Sequence, residues 1–212
     1  MAIIIGVVSQ KGGVGKSTIA RLVAREFAAQ GWQVKIGDLD IGQATSFHWR
    51  SRRLQSALEP DISIEQFGRV EQALKAAAQY EVLILDGAPH ATQATKQIAD
   101  ASDLVIIPTG LAIDDLEPGV RLAHDLATAV PRRKMLFALC RVGTSQLEIT
   151  EARRYLEEAG FRVLAGELPE QVAYRRASDE GRAATETRYP SLNRRAERLA
   201  QSVVNSMAAL TG

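Results

Sequence analysis

The residues with the clearest chemical potential lie close to the start of the chain, in the octapeptide Lys-Gly-Gly-Val-Gly-Lys-Ser-Thr at positions 11–18. Its glycines let several backbone N–H groups converge on an anion without obstruction by side chains. Lys16 can reach the β- and γ-phosphates of a nucleotide, and the Ser17 hydroxyl is a suitable ligand for Mg²⁺. The octapeptide therefore predicts a loop that binds a nucleoside phosphate. The residues predicted to bind it are Lys11, Gly12, Gly13, Val14, Gly15, Lys16, Ser17 and Thr18.

The segments that flank this loop have the pattern that a phosphate-binding loop requires. An apolar run at Ile3–Val8 precedes the loop and is predicted to be a buried strand, and Lys16–Gln30 has helical spacing. A strand, a glycine turn and a helix in this order bring the free N–H groups and partial positive charge of the helix N-terminus to the anion. The alternative is a chance turn rich in glycine and lysine.

Apolar runs and helical segments alternate along the rest of the chain. The predicted strands are Ile3–Val8, Gln33–Asp38, Tyr80–Asp86, Leu104–Pro108, Lys134–Cys140 and Arg162–Gly166. The predicted helices are Lys16–Gln30, Ser63–Gln79, Thr92–Ala101, Leu116–Val130, Gln146–Ala159, Glu170–Glu180 and Ser191–Ala209. The pattern is weakest over Phe47–Ile62. This alternation predicts one α/β domain over residues 1–212, with a mostly parallel twisted sheet and helices on both faces.

Two of these strands end in aspartate, at the edge where open α/β sheets bind their ligands. Four apolar residues precede Asp86, which is the pattern of a Walker B strand whose carboxylate holds Mg²⁺. The second predicted strand leads into Asp38-Leu39-Asp40. Phosphoryl transfer depends on a positioned nucleophile and on charge compensation, so carboxylates at this edge suit that reaction. The alternative is that Asp38 and Asp40 form a turn that caps the following helix.

The octapeptide departs from the general phosphate-loop pattern in one place. Gln10 stands where that pattern has its first glycine, and Lys11 adds a second lysine. With this deviant Walker A box, the Asp-x-Asp and the Walker B strand, the chain resembles the ParA/MinD family of ATPases over nearly its whole length. Within that family it looks most like the short plasmid partition ATPases of the ParF type. The resemblance implies that Lys11, Lys16 and Asp40 are catalytic, with Asp40 orienting the attacking water. It implies that the metal residues are Ser17, Asp38 and Asp86.

ATP and Mg²⁺ are the cofactors that this resemblance implies. The guanine-reading motif Asn/Thr-Lys-x-Asp is missing from the sequence, because Thr95-Lys96 lacks the closing Asp. By the resemblance, the purine of ATP lies near the end of the strand at Cys140 and contacts Leu168 and Pro169.

The resemblance also implies a function and its partners. Two subunits would form a homodimer with ATP sandwiched between them, each Lys11 reaching the nucleotide of the other. This ATP state would bind non-specific DNA, and a centromere-binding, ParB-like adaptor would stimulate slow hydrolysis during plasmid or chromosome partition. One alternative is a related ATPase that positions a protein cargo or a conjugation apparatus. Another is a small-molecule ATP-dependent enzyme on the same fold, although such an enzyme does not need a lysine offered to a neighbour.

Composition limits the location and the partners. The single cysteine, Cys140, excludes an internal disulfide, and no apolar run approaches the ~20 residues that cross a bilayer. We therefore expect a cytoplasmic protein, associated with the nucleoid in its ATP state and without stable membrane association. The apolar stripe of Ser191–Ala209 is expected to dock on the body of the protein rather than on a membrane.

The net charge of +1 means that any contact with DNA depends on a local patch of basic residues. The alternative for each arginine cluster is a set of scattered, solvated side chains. The candidate clusters are Arg50/Arg52/Arg53, Arg132/Arg133/Lys134, Arg153/Arg154, Arg175/Arg176 and Arg194/Arg195/Arg198.

Overall fold

Within residues 2–90 and 93–211, the part of the chain that the computed structural model describes, eight parallel strands form the centre of the molecule. The strands are β1 (Ile3–Val7), β2 (Val34–Asp38), β3 (Ser63–Gln66), β4 (Val82–Asp86), β5 (Leu104–Thr109), β6 (Met135–Val142), β7 (Arg162–Val163) and β8 (Leu168–Pro169). Their order is β3-β2-β4-β1-β5-β6-β7, and β8 pairs with β6. The predicted parallel sheet is therefore confirmed.

Helices cover both faces of this sheet, as the alternating pattern predicted. They are α1 (Lys16–Ala29), α2 (Thr45–Gln55), α3 (Val70–Ala76), α4 (Gln93–Ala101), α5 (Ile113–Leu126), α6 (Gln146–Glu158), α7 (Val172–Asp179) and α8 (Pro190–Thr211). Short 3₁₀ turns lie at Ala77–Gln79, Arg132–Lys134 and Ala184–Glu186. One apolar layer joins the sheet to α1 and α8, and another joins it to α3, α4, α5 and α6.

The inner strands are buried on both faces, which explains their continuous apolar runs. Every residue of β4 and β5 is buried, and β1 lies between these two strands. β2 lies on the other side of β4, with Asp38 in register with Asp86. Because these strands are parallel, their carboxyl ends meet at one edge. The loop after β1 and the two aspartates are thereby brought together.

The segment 63–79 differs from its prediction. Its first residues form the edge strand β3, and the helix begins only at Val70. Ile64 is buried and Glu65 is exposed, which is the alternation of a strand. β3 pairs with β2 on one side, so its position depends on a partner that is distant in sequence.

Several other boundaries differ from the predictions. α2 begins at Thr45 and occupies much of the weakly patterned segment 47–62. The predicted strand Arg162–Gly166 is reduced to the two residues of β7, and β8 is a further short strand beside β6. The predicted start of a helix at Thr92 lies outside the described residues, where the helix is described from Gln93 onward.

α8 docks on the body of the protein, as its apolar stripe predicted. Ala196, Leu199, Val203 and Met207 are buried in the same apolar layer as α1. Among the helices of the described residues, none combines the length and the apolar character needed to span a lipid bilayer.

Candidate nucleotide-binding site

The loop between β1 and α1 leaves the N-terminus of α1 open. α1 begins at Lys16, its N-cap residue Gly15 has no side chain to cap the first N–H groups, and its first turn has no acidic residue. The preceding Gly15 has a φ of 105°, which a residue with a Cβ adopts only with strain. A Cβ there would also lie 3.2 Å from both Cβ and Sγ of Cys140. The uncapped N–H groups make this helix terminus a favourable place for an anion.

The two lysines of the loop face different cavities. Lys16 is 8% exposed and lines a cavity of about 490 Å³ together with Asp40. Lys11 lines a separate cavity of about 840 Å³, and its Nζ donates to Asp115 Oδ1 at 2.6 Å and to the carbonyl oxygen of Asp114 at 2.8 Å. We call these the phosphate cavity and the outer cavity, respectively.

Lys16 is a buried cation among carboxylates. Burial lowers the pKa of Lys16, and the negative charges of Asp86 and Asp40 oppose this effect. Its Nζ donates to the carbonyl oxygen of Lys11 at 3.1 Å. A cation held in a polar cavity at the end of a glycine loop is suited to the phosphates of a nucleotide.

Asp86 is buried at the end of β4, and one of its oxygens accepts no hydrogen bond from the part of the chain that the structure describes. Oδ2 accepts a hydrogen bond from Ser46 Oγ at 2.8 Å, whereas Oδ1 has no partner among the described residues. Burial, and secondly the charge of Asp38, raise the pKa of Asp86 to about 6. A buried carboxylate oxygen without a donor is suited to a cation, or to a water molecule that a cation holds.

The residues around Asp86 fit Mg²⁺ only in combination with a nucleotide. Ser17 Oγ lies 2.9 Å from Thr45 Oγ1, and both side chains line the phosphate cavity. Within residues 2–90 and 93–211, no group of three or more His, Cys, Asp or Glu side chains could hold a metal ion. However, Mg²⁺ usually takes one or two protein oxygens and completes its shell with water and nucleotide phosphates. Ser17 and Asp86 suit that mode of binding.

Asp38 and Asp40 have different environments. The buried Asp38 carboxylate accepts backbone N–H bonds from Asp40 (3.1 Å), Ser46 (3.1 Å) and Phe47 (3.3 Å), so it caps the start of α2. Burial raises the pKa of Asp38, and these hydrogen bonds oppose the rise. Asp40 accepts the N–H of Gln43 at 3.2 Å and lines the phosphate cavity. The capping turn is therefore present, and the proposed roles of Asp38 at Mg²⁺ and of Asp40 on water stay predictions.

A third cavity, of about 430 Å³, lies beside the loop at the end of β6. Cys140, Leu168 and Pro169 are among the residues that line it. It shares Gly15 and Thr18 with the phosphate cavity, so the two cavities adjoin. This arrangement agrees with the predicted purine position, although the contacts of Leu168 and Pro169 with the purine stay a prediction.

An ion-pair group closes one side of this third cavity. Arg141 donates from Nε to Glu170 Oε2 at 2.7 Å and from Nη1 to the carbonyl oxygen of Gly13 at 3.3 Å. Arg175 pairs with the other oxygen of Glu170. Hydrogen bonding with Glu170 raises the pKa of Arg141, and the same bond lowers the pKa of Glu170.

Three residues of this site were not predicted from the sequence. Thr45 and Ser46 form the first turn of α2 and reach Ser17 and Asp86, respectively. Arg21 lies on α1, and its Nε donates to Ser46 Oγ at 3.2 Å. Burial lowers the pKa of Arg21 to about 10. The two hydroxyl residues that follow Asp-x-Asp after a short interval are the signal in the sequence that could have indicated Thr45 and Ser46. The helix that they begin is not evident from the sequence.

The parallel sheet, the glycine loop at the carboxyl edge and the helix that follows it define a P-loop nucleotide-binding protein. The model of the CobQ/CobB/MinD/ParA nucleotide binding domain matches residues 5–184. The chain therefore belongs to this family, and the resemblance to ParA/MinD ATPases is confirmed. The narrower placement among ParF-type proteins stays a prediction.

Individual relatives agree with this placement. The chain is 30% identical over 182 residues to the Maintenance of carboxysome distribution protein A of Gloeobacter kilaueensis. The aligned region covers 84% of this chain and 82% of the relative. The septum site-determining protein MinD of Pyrococcus horikoshii, complexed with Mg-ADP, superposes with a TM-score of 0.78 at 17% identity over 99% of both chains. A Borrelia burgdorferi structure assigned to plasmid partition and bound to AMPPNP has a TM-score of 0.72 at 17% identity, over 97% of this chain and 99% of that one. At this identity the two structures establish the fold, and their bound ligands are consistent with the expected ATP and Mg²⁺.

Proposed function

We propose that this protein is an ATP-driven switch of the ParA/MinD type, which forms a dimer around ATP and positions a cargo. Family membership and the ligand-bound structures of related proteins support ATP binding and ATPase activity. The proposed ATPase is slow by itself and is stimulated by an adaptor protein, as the resemblance implies.

The observation that carries this proposal is the orientation of the two lysines. Lys16 faces the phosphate cavity of its own subunit, whereas Lys11 lines the outer cavity and is held there by Asp115. The Lys11 side chain is 40% exposed, so its ammonium is accessible to a second molecule. Lys16 is therefore placed to bind the phosphates of its own subunit. Lys11 lies at the rim of the site, where its ammonium group can contact the nucleotide of a facing subunit.

Exposed apolar side chains on the same edge support a face-to-face dimer. Segments that follow β2, β5, β6 and β8 each carry at least one large hydrophobic residue that is mostly exposed. Exposed large apolar side chains around a polar site suit a protein interface. These residues are Ile41, Ile113, Leu147 and Val172, and Phe47 in the segment after β2 is less exposed, at 41%.

The geometry of the site is consistent with phosphoryl transfer to water. The N–H groups of the loop and Lys16 would compensate the charge of the phosphates, and Asp40 would orient the attacking water. Mg²⁺, bound through Ser17 and Asp86 together with the nucleotide, would neutralise charge that develops on the phosphate oxygens. Lys11 of the facing subunit would add a further positive charge, comparable with the arginine finger that contributes roughly 10³–10⁵ in rate in other NTPases.

Among the described residues, every candidate arginine cluster except Arg132/Arg133/Lys134 has at least one arginine paired with a carboxylate. The paired arginines are Arg50, Arg53, Arg153, Arg154, Arg175 and Arg195. Four exposed arginines on and between α7 and α8 have no acidic partner among the described residues, and neither do the exposed Arg132 and Arg133. The four on and between α7 and α8 are Arg176, Arg188, Arg194 and Arg198. We propose the group of four on α7, on α8 and between them as the non-specific DNA surface, because it is the larger group and its arginines can bind phosphates without first breaking an ion pair.

The cargo has two candidates. Plasmid or chromosome partition, with a ParB-like adaptor, is the function that the sequence resemblance implies. A protein assembly is the second candidate, because the relative at 30% identity is named for carboxysome distribution. Both candidates use the same switch, so a test of the switch does not depend on the cargo.

The decisive experiment measures the mass of the protein in solution with ATP and Mg²⁺, with ADP and without nucleotide. We expect a dimer only with ATP. The Lys11→Ala variant should bind ATP but form no dimer and lose dimer-dependent hydrolysis. Wild-type dimerisation and turnover in this variant would refute the assigned role of Lys11.

DNA binding is tested separately, in the same three nucleotide states and at two salt concentrations. Binding that requires ATP and falls steeply with salt would support phosphate contacts. Replacing Arg176 and Arg194 together by Ala should weaken it, whereas Arg154→Ala, at an exposed ion pair, serves as a matched control. Equal loss in both variants would exclude the proposed surface.

A further inference from the structure

Arg21 is a buried cation that the proposed chemistry does not use. It lies on α1, one helical turn beyond Ser17, and is 7% exposed. Its guanidinium stands 5.7 Å from the ring centre of Trp49. Within residues 2–90 and 93–211, no ion pair closer than 4 Å involves Arg21. Because a buried charge without a carboxylate partner is costly, its position requires an explanation.

The hydrogen bonds of Arg21 lead to the metal end of the site. Its Nε donates to Ser46 Oγ at 3.2 Å, and Ser46 Oγ donates to Asp86 Oδ2 at 2.8 Å. Its Nη1 donates to Ser178 Oγ on α7, also at 3.2 Å. The guanidinium therefore joins three helices, and its charge is attracted by the buried Asp86 and Asp38.

The chemistry of the Ser46 hydroxyl group sets the direction of the hydrogen bonds that run from Arg21 to Asp86. A serine hydroxyl has one proton and can accept hydrogen bonds through its lone pairs. When Arg21 donates to Ser46 Oγ, the serine proton is directed towards Asp86 Oδ2. One oxygen of Asp86 is then fixed by the protein, and Oδ1, which is buried and has no hydrogen-bond partner among the described residues, is left for a ligand.

We propose that Arg21 is a positioning residue, which acts through Ser46 to orient the Asp86 carboxylate for Mg²⁺ in the nucleotide complex. Groups that hold a metal-binding carboxylate from behind typically contribute 10–100-fold to metal affinity or activity. The proposal rests on the binding of nucleotide and Mg²⁺ by this family domain and does not depend on the dimer switch.

A purely structural role would have a different signature. If Arg21 served only to tie α1 to α2 and α7, its removal would weaken folding and nucleotide binding equally with and without Mg²⁺. Ser178 offers a matched control, because Ser178→Ala removes one hydrogen bond of Arg21 but leaves the bonds from Arg21 to Ser46 and from Ser46 to Asp86 intact.

The test is calorimetric titration of the full chain with ADP, in excess Mg²⁺ and in EDTA, after melting curves have shown that each variant is folded. ADP is used so that neither hydrolysis nor ATP-dependent dimerisation enters the measurement. Arg21→Met and Ser46→Ala should each reduce the Mg²⁺-dependent gain in ADP affinity by about 10–100-fold. The gain in Ser178→Ala should stay within about twofold of the wild type. Because Arg21 and Ser178 both line the phosphate cavity and the third cavity, the Mg²⁺-dependent gain, and not the affinity in EDTA, is the readout.

The double variant Arg21→Met/Ser46→Ala supplies the second readout. Both residues act through the same series of hydrogen bonds to Asp86. The double variant should therefore lose no more of the Mg²⁺-dependent gain in ADP affinity than the more affected single variant. Additive losses, an unchanged Mg²⁺-dependent gain, or equal losses in Mg²⁺ and EDTA would each overturn the proposal. If Arg21→Met does not fold, Ser46→Ala alone decides, since it removes only a hydroxyl group and must still reduce the gain.

Discussion

The buried ion pair between Arg53 and Glu186 allows a stability prediction that can be worked out from the structure. Arg53 is fully buried, and the Glu186 side chain is 9% exposed. Arg53 Nη1 and Nη2 donate to the two Glu186 oxygens at 2.7 and 3.0 Å, while Nε donates to the carbonyl oxygen of Pro60 at 3.0 Å. The pair fixes α2, which carries Thr45 and Ser46, against the segment before α8.

Replacing Glu186 by Gln keeps the shape of the side chain but leaves the Arg53 charge buried without its counter-ion. Breaking a buried pair in this way typically costs about 3–5 kcal/mol. With a urea dependence of about 2 kcal/mol per M, this loss lowers the midpoint of unfolding by about 2 M. The control is Arg50→Ala, at the exposed pair with Asp61, which should cost less than about 1 kcal/mol.

Equilibrium unfolding in urea, followed by circular dichroism, measures both variants. A midpoint that falls by less than about 0.5 M in Glu186→Gln, or by as much as in the Arg50→Ala control, would refute the reasoning. Such a result would mean that the Arg53 charge is solvated or compensated elsewhere.

The pH dependence gives a second check on the same pair. Burial tends to raise the pKa of Glu186, but hydrogen bonds from Arg53 and from the N–H of Ala183 outweigh it, so the pKa is lowered. A carboxylate whose pKa is lower in the folded state stabilises the fold above its unfolded pKa, near 4.3, and this contribution is lost as the pH falls through the folded value. The difference in the free energy of unfolding between the wild type and Glu186→Gln should therefore have its full size at pH 7 and should decrease below about pH 4. A constant gap would contradict this origin.

Three further predictions concern the loop and its surroundings. Lys16→Ala should abolish ADP binding in a calorimetric titration, because it removes the cation of the phosphate cavity; an unchanged affinity would contradict the assignment. Gly15→Ala should lower the free energy of unfolding by about 1–3 kcal/mol more than Gly31→Ala does. Both glycines have positive φ, but only the Cβ of an alanine at position 15 would press against Cys140. Equal losses in the two variants would show that the contact relaxes freely. Burial raises the pKa of Cys140 to about 12, so a thiol reagent at pH 8 should label it only on unfolding, and rapid labelling of the folded protein would exclude this environment.

Local pattern was sufficient for the elements that carry the phosphate loop. The apolar run before the loop and the helical spacing after it are properties of adjacent residues, and they predicted β1 and α1 to within one residue. The strands that end in Asp38 and Asp86 were predicted for the same reason. Because both faces of the sheet are covered, their sequences are continuously apolar and unmistakable.

Local pattern failed where an element depends on distant partners. β3 is a four-residue edge strand whose pairing with β2 decides its conformation, and a helical period over the same residues was equally plausible. α2 has few apolar residues, and it is held by the Asp38 cap, by buried Trp49 and by the Arg53–Glu186 pair. Each of these contacts crosses an interval of sequence that periodicity does not span.

By itself, the sequence determined the family, the α/β class and the residues of the phosphate loop, because these depend on residue types at fixed short spacing. Only the tertiary structure decided that Lys11 and Lys16 line different cavities, that Asp38 caps α2, and that Arg21 stands behind Asp86 through Ser46. The physical reason is that the orientation, burial and hydrogen-bond partners of these side chains are set only when the parallel strands bring their carboxyl ends to one edge. A local sequence pattern does not indicate which side chains then come into contact.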